Sequence, residues 1–209
     1  MSATGAFARL RLPVLLLAVS FPLDVSSQRA EPMTPARIRA LTKDAQSEAH
    51  GDKNDIVLGL DARVRARWGD FESFPISIVR REDLTIVLST PYMTYRRTLA
   101  DYLRLDRPIG DTPWVPTAVI AVAPERLDAP DITRVVVERG GKAVPPVENL
   151  LRPMTFTNGG GDQATIHGGD VRFPMSAFAP GASVAISAIP QAGAAFVMTL
   201  DDGQLRTLK

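Results

Sequence analysis

The chain has 209 residues, with 24 basic and 23 acidic side chains, 45% hydrophobic residues and no cysteine. That length suits one large domain or two small ones with a real core. The missing cysteine excludes disulfides, thiol redox chemistry, cysteine-ligated zinc and a thioether lipid anchor.

Arg9 and Arg11 precede an apolar run from Leu12 to Leu23, and Val25, Ser26 and Ser27 follow. A basic start, a short apolar stretch and small residues are the order of a secretory signal peptide. The run carries Pro13 and Pro22 and is far shorter than the roughly 20 residues a membrane-spanning helix needs. We expect cleavage after Ser27 and export to the periplasm or the medium. Cleavage there removes Arg9, Arg11 and Asp24 and leaves 182 residues with 22 basic and 22 acidic side chains. A neutral chain has no global field to attract nucleic acid or an anionic membrane. No second long apolar segment follows, so no transmembrane segment is expected in the mature chain. Arginine greatly outnumbers lysine, which occurs only at Lys43, Lys53, Lys142 and Lys209. With many Ala, Val and Pro, this fits a GC-rich bacterial proteome.

Residues 28–33 are a polar connector. Thr34 and Pro35 suit the N-cap and first position of a helix over about 35–50, with Ile38, Leu41 and Ala45 on one face. Asp52 to Asp55 reads as a turn. From Leu60 the residues alternate: Leu60, Ala62, Val64, Ala66 and Trp68 fall on one side, Asp61, Arg63, Arg65 and Arg67 on the other. Period two predicts a half-buried strand. Ile76 to Val79 and Leu84 to Leu88 predict a hairpin joined by Arg80 to Asp83. Thr90–Pro91 opens a second helix, about 91–106, with Tyr92, Tyr95, Leu99, Tyr102 and Leu103 on one face. Residues 34–112 therefore read as an α+β region with two helices, or as an elaboration of the β region after it.

The Gly110–Pro116 loop is the expected boundary. Beyond it, residues 113–209 read as strand and turn alone. Thr117 to Ala123 is apolar on both faces, as in a central strand. Ile132 to Arg139 and Lys142 to Val147 flank Gly140–Gly141, a two-residue hairpin signal. Met154 to Thr157 ends at an Asn158–Gly159 turn. Ala164 to His167 and Val171 to Phe173 bracket a Gly–Gly turn. Ala182 to Ile189, Ala195 to Leu200 and Leu205 to Leu208 complete the set, the last as an edge strand. Short strands with turns every 8 to 12 residues or so predict an antiparallel β-sandwich. The chain is expected to be mainly β.

Phe178–Ala–Pro180–Gly181–Ala–Ser–Val184–Ala–Ile186–Ser–Ala188 resembles the segment entering the sixth strand of fibronectin type III and related immunoglobulin-like domains. Val184 stands where those domains commonly place a tyrosine that ties down the corner. The resemblance implies an immunoglobulin-like sandwich, a fold most often used for binding or spacing.

On a strand, Arg63, Arg65 and Arg67 would form a comb about 6.5–7 Å in spacing, able to cradle an anionic group or an acidic partner strand. The blander reading is a solvated face paired with neighbouring acids. Arg96 and Arg97 are further binding candidates on the second helix, whose tyrosine stripe reads as core. His167–Gly168–Gly169–Asp170 places a histidine near an acid, while His50 sits at a helix end as a favourable terminal charge. Gly159–Gly160–Gly161–Asp162 lacks the Lys-Ser/Thr of a phosphate loop and reads as a turn. No catalytic residue, metal site or cofactor is expected. We expect an exported, non-catalytic binding or scaffold module of the bacterial envelope, with another envelope or extracellular protein as partner. The alternatives are a carboxylate-dependent envelope hydrolase and a structural or chaperone-like module working by strand addition.

Overall fold

The computed structural model describes residues 32–157 and 159–209. The signal-peptide reading, most of the 28–33 connector and Asn158 lie outside them. Strand residues slightly outnumber helical ones, and the described residues form four helices and two antiparallel sheets.

The first helix, α1 (Pro35–Glu48), starts as expected: the Thr34 side chain accepts the Arg37 N–H and Pro35 occupies the first turn. The second, α2 (Lys53–Trp68), corrects the sequence reading. Residues expected to be a turn and then a strand form one helix. Asp52 caps it by accepting the Asn54 N–H at 2.8 Å, and Gly69, at φ +75°, ends it. Leu60, Val64 and Trp68 satisfy a four-residue period as well as a two-residue one. All three are buried, while Ala62 and Ala66 are exposed. Upstream, Ile56 and Val57 extend the same buried stripe. Ala, Leu and Arg favour helix, and that preference separates the two periods.

Strands β1 (Ile76–Arg80) and β2 (Leu84–Ser89) form the expected hairpin, with a bulge between Ser77 and Val79. Helix α3 (Pro91–Arg104) follows, capped by Thr90. Its Tyr92, Tyr95, Leu99 and Leu103 are buried with Ile38, Leu60, Val64, Trp68 and Phe71 in a helical core. The tyrosine stripe is thus core for Tyr92 and Tyr95, while Tyr102 is half-buried. The Tyr95 hydroxyl and the buried Thr42 hydroxyl lie 3.1 Å apart, so neither polar group is stranded.

The remaining strands are β3 (Thr117–Pro124), β4 (Ile132–Arg139), β5 (Lys142–Val144), β6 (Glu148–Asn149), β7 (Arg152–Thr157), β8 (Gln163–Pro174), β9 (Val184–Pro190) and β10 (Phe196–Leu200). One sheet runs β1-β2-β3-β8-β6, with β7 pairing β8; the other runs β10-β9-β4-β5. As expected, β3 is central, between β2 and β8. Because β2 bonds to β3, α3 and the 110–116 loop together connect neighbouring strands of one sheet. Residues of both sheets share a second core, including Leu84, Ile86, Ile120 and Phe173 from one and Val137, Val184 and Ile186 from the other. Met93 of α3 joins that core, while Tyr92 beside it belongs to the helical one.

Gly140 and Gly141 take φ +56° and +75°, the double left-handed turn that closes a two-residue hairpin. Two further expectations are corrected. The His167–Asp170 stretch is not a turn: β8 continues through it for 12 residues. Up to Gly168 it pairs with β7, and from Gly169 it pairs with β3. The second correction is at the C-terminus, where Leu205 to Leu208 does not form an edge strand. Helix α4 (Asp202–Thr207) occupies it, started by reciprocal bonds between Asp201 and Gln204.

Candidate functional site

The arginine comb does not form. On α2, successive residues turn by about 100°, so Arg65 points away from Arg63 and Arg67. Each is engaged locally. Arg63 bonds the Gly59 carbonyl at 2.9 Å and pairs with Glu48 at 2.5 Å. That pairing holds the Glu48 carboxyl below the usual carboxylate range, through the hydrogen bond first and the guanidinium charge second. Arg65 pairs with Asp70 and lies over the Phe71 ring, and Arg67 lies over Trp68. These contacts tie α2 to its surroundings.

Arg96 and Arg97 also part company. Arg97 is exposed. Arg96 meets Asp61 from α2, with Nε 2.8 Å from Oδ2, and both side chains are about 85% covered. The same carboxylate accepts the Tyr92 hydroxyl at 2.5 Å. Burial, then the hydrogen bond to and charge of Asp61, push the Tyr92 hydroxyl far above the ordinary tyrosine range. Phe74, exposed, stacks over the Arg96 guanidinium at 4.3 Å. This is a staple between α2 and α3.

His167 is not alone. Its Nδ1 lies 2.9 Å from Asp131 Oδ1, and its backbone N–H donates to the same oxygen at 2.6 Å. The side chain stays one-third exposed. A carboxylate that fixes one ring nitrogen leaves the other available as a base. A cleft of about 500 Å³ opens nearby, lined by Asn149, Leu150, Leu151, Arg152, Gly169 and Asp170. Neither Asp131 nor His167 is among its lining residues, and it holds one carboxylate. His50, at φ +42°, follows the end of α1. No group of three or more histidines or carboxylates among the described residues is placed to hold a metal.

The sheet edges differ sharply. β1 starts after Pro75, carries a bulge and ends at Arg80 and Arg81. β5 has three residues before Pro145 and Pro146. β6 has two residues, and β7 contains Arg152 and Pro153. These are the devices that keep edges from pairing with other chains. β10 is covered differently: β1 of the other sheet lies against it. Phe196–Val–Met–Thr–Leu200 has no charge and no proline, and it pairs with β9 through five residues without a bulge. Val197 is 63% exposed. Phe196 and Met198 pack on the core shared by the two sheets and stay partly exposed at its margin. Sequence reasoning locates this strand but not its edge position, which depends on long-range pairing.

No protein-family model, no curated protein and no solved structure matches the chain.

Proposed function

We propose that the chain is an exported binding or scaffold module that takes up an extended protein segment by strand addition at β10. The β10 strand, free of charge, proline and bulge, carries this reading; β1 of the other sheet, which lies against it, would have to give way to an added strand. A strand added there would continue the β10-β9-β4-β5 sheet, satisfy its outer backbone groups and cover the half-exposed flanks of Phe196 and Met198. The signal-like Arg9–Ser27 segment supports export to the periplasm or medium. No described helix is long and apolar enough to cross a membrane.

An immunoglobulin-like assignment of the β region is part of this proposal. Two antiparallel sheets over a common core support it, as does the Pro180–Gly181 approach to β9. Other groups hold that corner where Val184 replaces the tyrosine. Arg139 donates to the Ala179 and Pro180 carbonyls at 3.0 and 3.1 Å, and the Gly181 N–H donates to Asp202 at 2.6 Å. The Gly181 bond, followed by Arg206, keeps the Asp202 carboxyl below its ordinary range.

The test is in-cell crosslinking followed by recovery of the tagged protein. Val197→Lys puts a charge on an exposed strand position that the core does not use. We expect it to cut co-recovered protein by about tenfold or more while leaving the thermal melt unchanged. Undiminished recovery would refute the edge as the docking site.

The Asp131–His167 pair favours a second reading, an envelope hydrolase with His167 as general base and Asp131 as its positioning partner. Screening against peptide, ester and glycan substrates tests it. Turnover that disappears in His167→Gln would support it. No turnover, or turnover that survives the substitution, would remove it.

A further inference from the structure

We infer that the groove between α1 and residues 106–110 binds a small phosphate monoester carrying an apolar body. It does not rest on the strand-addition reading. The unpaired charge of α1 points to it. Arg39 and Lys43 lie four residues apart, on one face of the helix. Among the described residues neither has an ion-pair or hydrogen-bond partner. Asp44 and Asp111, adjacent in sequence to Lys43 and Gly110, pair with neither. On the neighbouring helices Arg63, Arg65, Arg96 and Arg104 each meet a carboxylate. Like charges at this spacing destabilise a helix, and a bound dianion would relieve that.

Both cations border a cavity of about 310 Å³, at the lower end of small-ligand sites. Tyr95 and Ile109 give it apolar walls, Gln46 adds an amide, and Gly110 contributes no side chain. The Tyr95 ring is buried and packs against Trp114 at 6.0 Å, which holds that wall in place. Its hydroxyl is already committed. Thr42 gives its own proton to the Ile38 carbonyl at 2.7 Å, so Tyr95 donates to Thr42. The anion is left to Arg39, Lys43 and the Gln46 amide, and the Tyr95 ring meets the body. Burial raises the pKa of the Tyr95 hydroxyl, and the Thr42 bond and the Arg39 charge oppose it, so the guanidinium lies close to that ring. Gln46 and Ile109 also line an adjoining cleft of about 460 Å³, with Lys53, Asp106 and Arg107. Lys53 already holds Asp106, while Arg107, over the Tyr102 ring, adds a third cation without an acid. The groove is thus locally basic in a chain of nearly balanced charge. Two free cations at the cavity match the near-double charge of a phosphate monoester at neutral pH, and the Arg39 fork suits two of its oxygens.

The experiment is titration calorimetry of the chain purified from the producing cell, with phenyl phosphate at low salt, where exposed cations are least screened. We expect a dissociation constant of about 0.1–1 mM. Phenyl sulfate, a monoanion of the same shape, should bind about threefold more weakly or worse. Inorganic phosphate, the head without the body, should bind about tenfold more weakly. Arg39→Gln with Lys43→Gln should weaken phenyl phosphate by about tenfold or more, with the thermal melt unchanged. Gly110→Leu is the second variant. Its Cβ position is open and its φ is not positive, so the new side chain fills the cavity without strain. It should weaken the same probe about as much, and it decides the matter if the double variant does not fold. No binding up to about 10 mM overturns the inference. So does binding that survives in either variant, or a sulfate ester or inorganic phosphate that matches phenyl phosphate. Val197→Lys should leave the titration unchanged, so this site and strand addition stand or fall separately.

Discussion

Asp61→Ala is expected to destabilise the fold by about 3–5 kcal/mol, the largest effect expected of a single charge removal among the described residues. Asp61 is the shared acceptor of the staple between α2 and α3. Removing it leaves the wholly buried Tyr92 hydroxyl without its acceptor and the Arg96 guanidinium, 14% exposed, without its counter-ion. An orphaned buried hydroxyl costs roughly 1–3 kcal/mol, and an uncompensated buried charge about 3 or more. Local relaxation and the Phe74 ring keep the total below the sum. Arg96→Met is expected to cost less, about 1–2 kcal/mol, because Tyr92 still donates to Asp61. The two changes should be non-additive, since both sever one network. Urea unfolding of the single and double variants measures this. A cost below about 1 kcal/mol for Asp61→Ala would place the pair among screened surface ion pairs instead.

Gly169→Ala is expected to cost roughly 3 kcal/mol or more. Gly169 has φ +129°, a backbone conformation L side chains rarely adopt, and a Cβ there would sit 2.5 Å from the Leu150 carbonyl oxygen. Backbone cannot swing aside as a side-chain end can. Here β8 passes from pairing with β7 to pairing with β3, so the positive φ and the close approach of the 150–151 backbone fall at one point of the strand. Gly161→Ala is the control. Its φ is +89° but nothing lies within 4 Å of its Cβ position, so it should incur the conformational cost alone, about 1 kcal/mol. Equal losses for the two variants would show that the Leu150 contact is not tight.

Much of the architecture is legible locally. Thr34–Pro35 and Thr90–Pro91 start helices, and Gly140–Gly141 closes a hairpin, because each motif resolves a backbone problem with its own side chains or its lack of them. The failures share a cause. Residues 60–68 carry two periods at once, and the alternation masks the N-cap at Asp52 and the stop at Gly69. Asp201 and Gln204 are a capping signal hidden beside an apolar Leu205–Leu208 run. Gly168–Gly169 resembles a turn because glycine serves a sharp bend within a strand as readily as it serves a turn between strands.

The surface is less legible. The arginine comb vanishes with the strand that would have supported it. Asp131 and His167 are 36 residues apart and meet only because β8 crosses beside the start of β4. The strand at 195–200 is visible in its alternation, but nothing local says that β10 is an edge. That comes from the order β10-β9-β4-β5, set by pairings between distant residues.

The most direct test of strand addition is photocrosslinking in the producing cell, with a benzophenone side chain at Val197 and, as control, at the exposed Arg134 on β4 of the same sheet. Strand addition predicts a discrete protein adduct from position 197 and none from 134, its mass reporting either a second copy or another protein. No adduct from 197, or equal adducts from both positions, would contradict it.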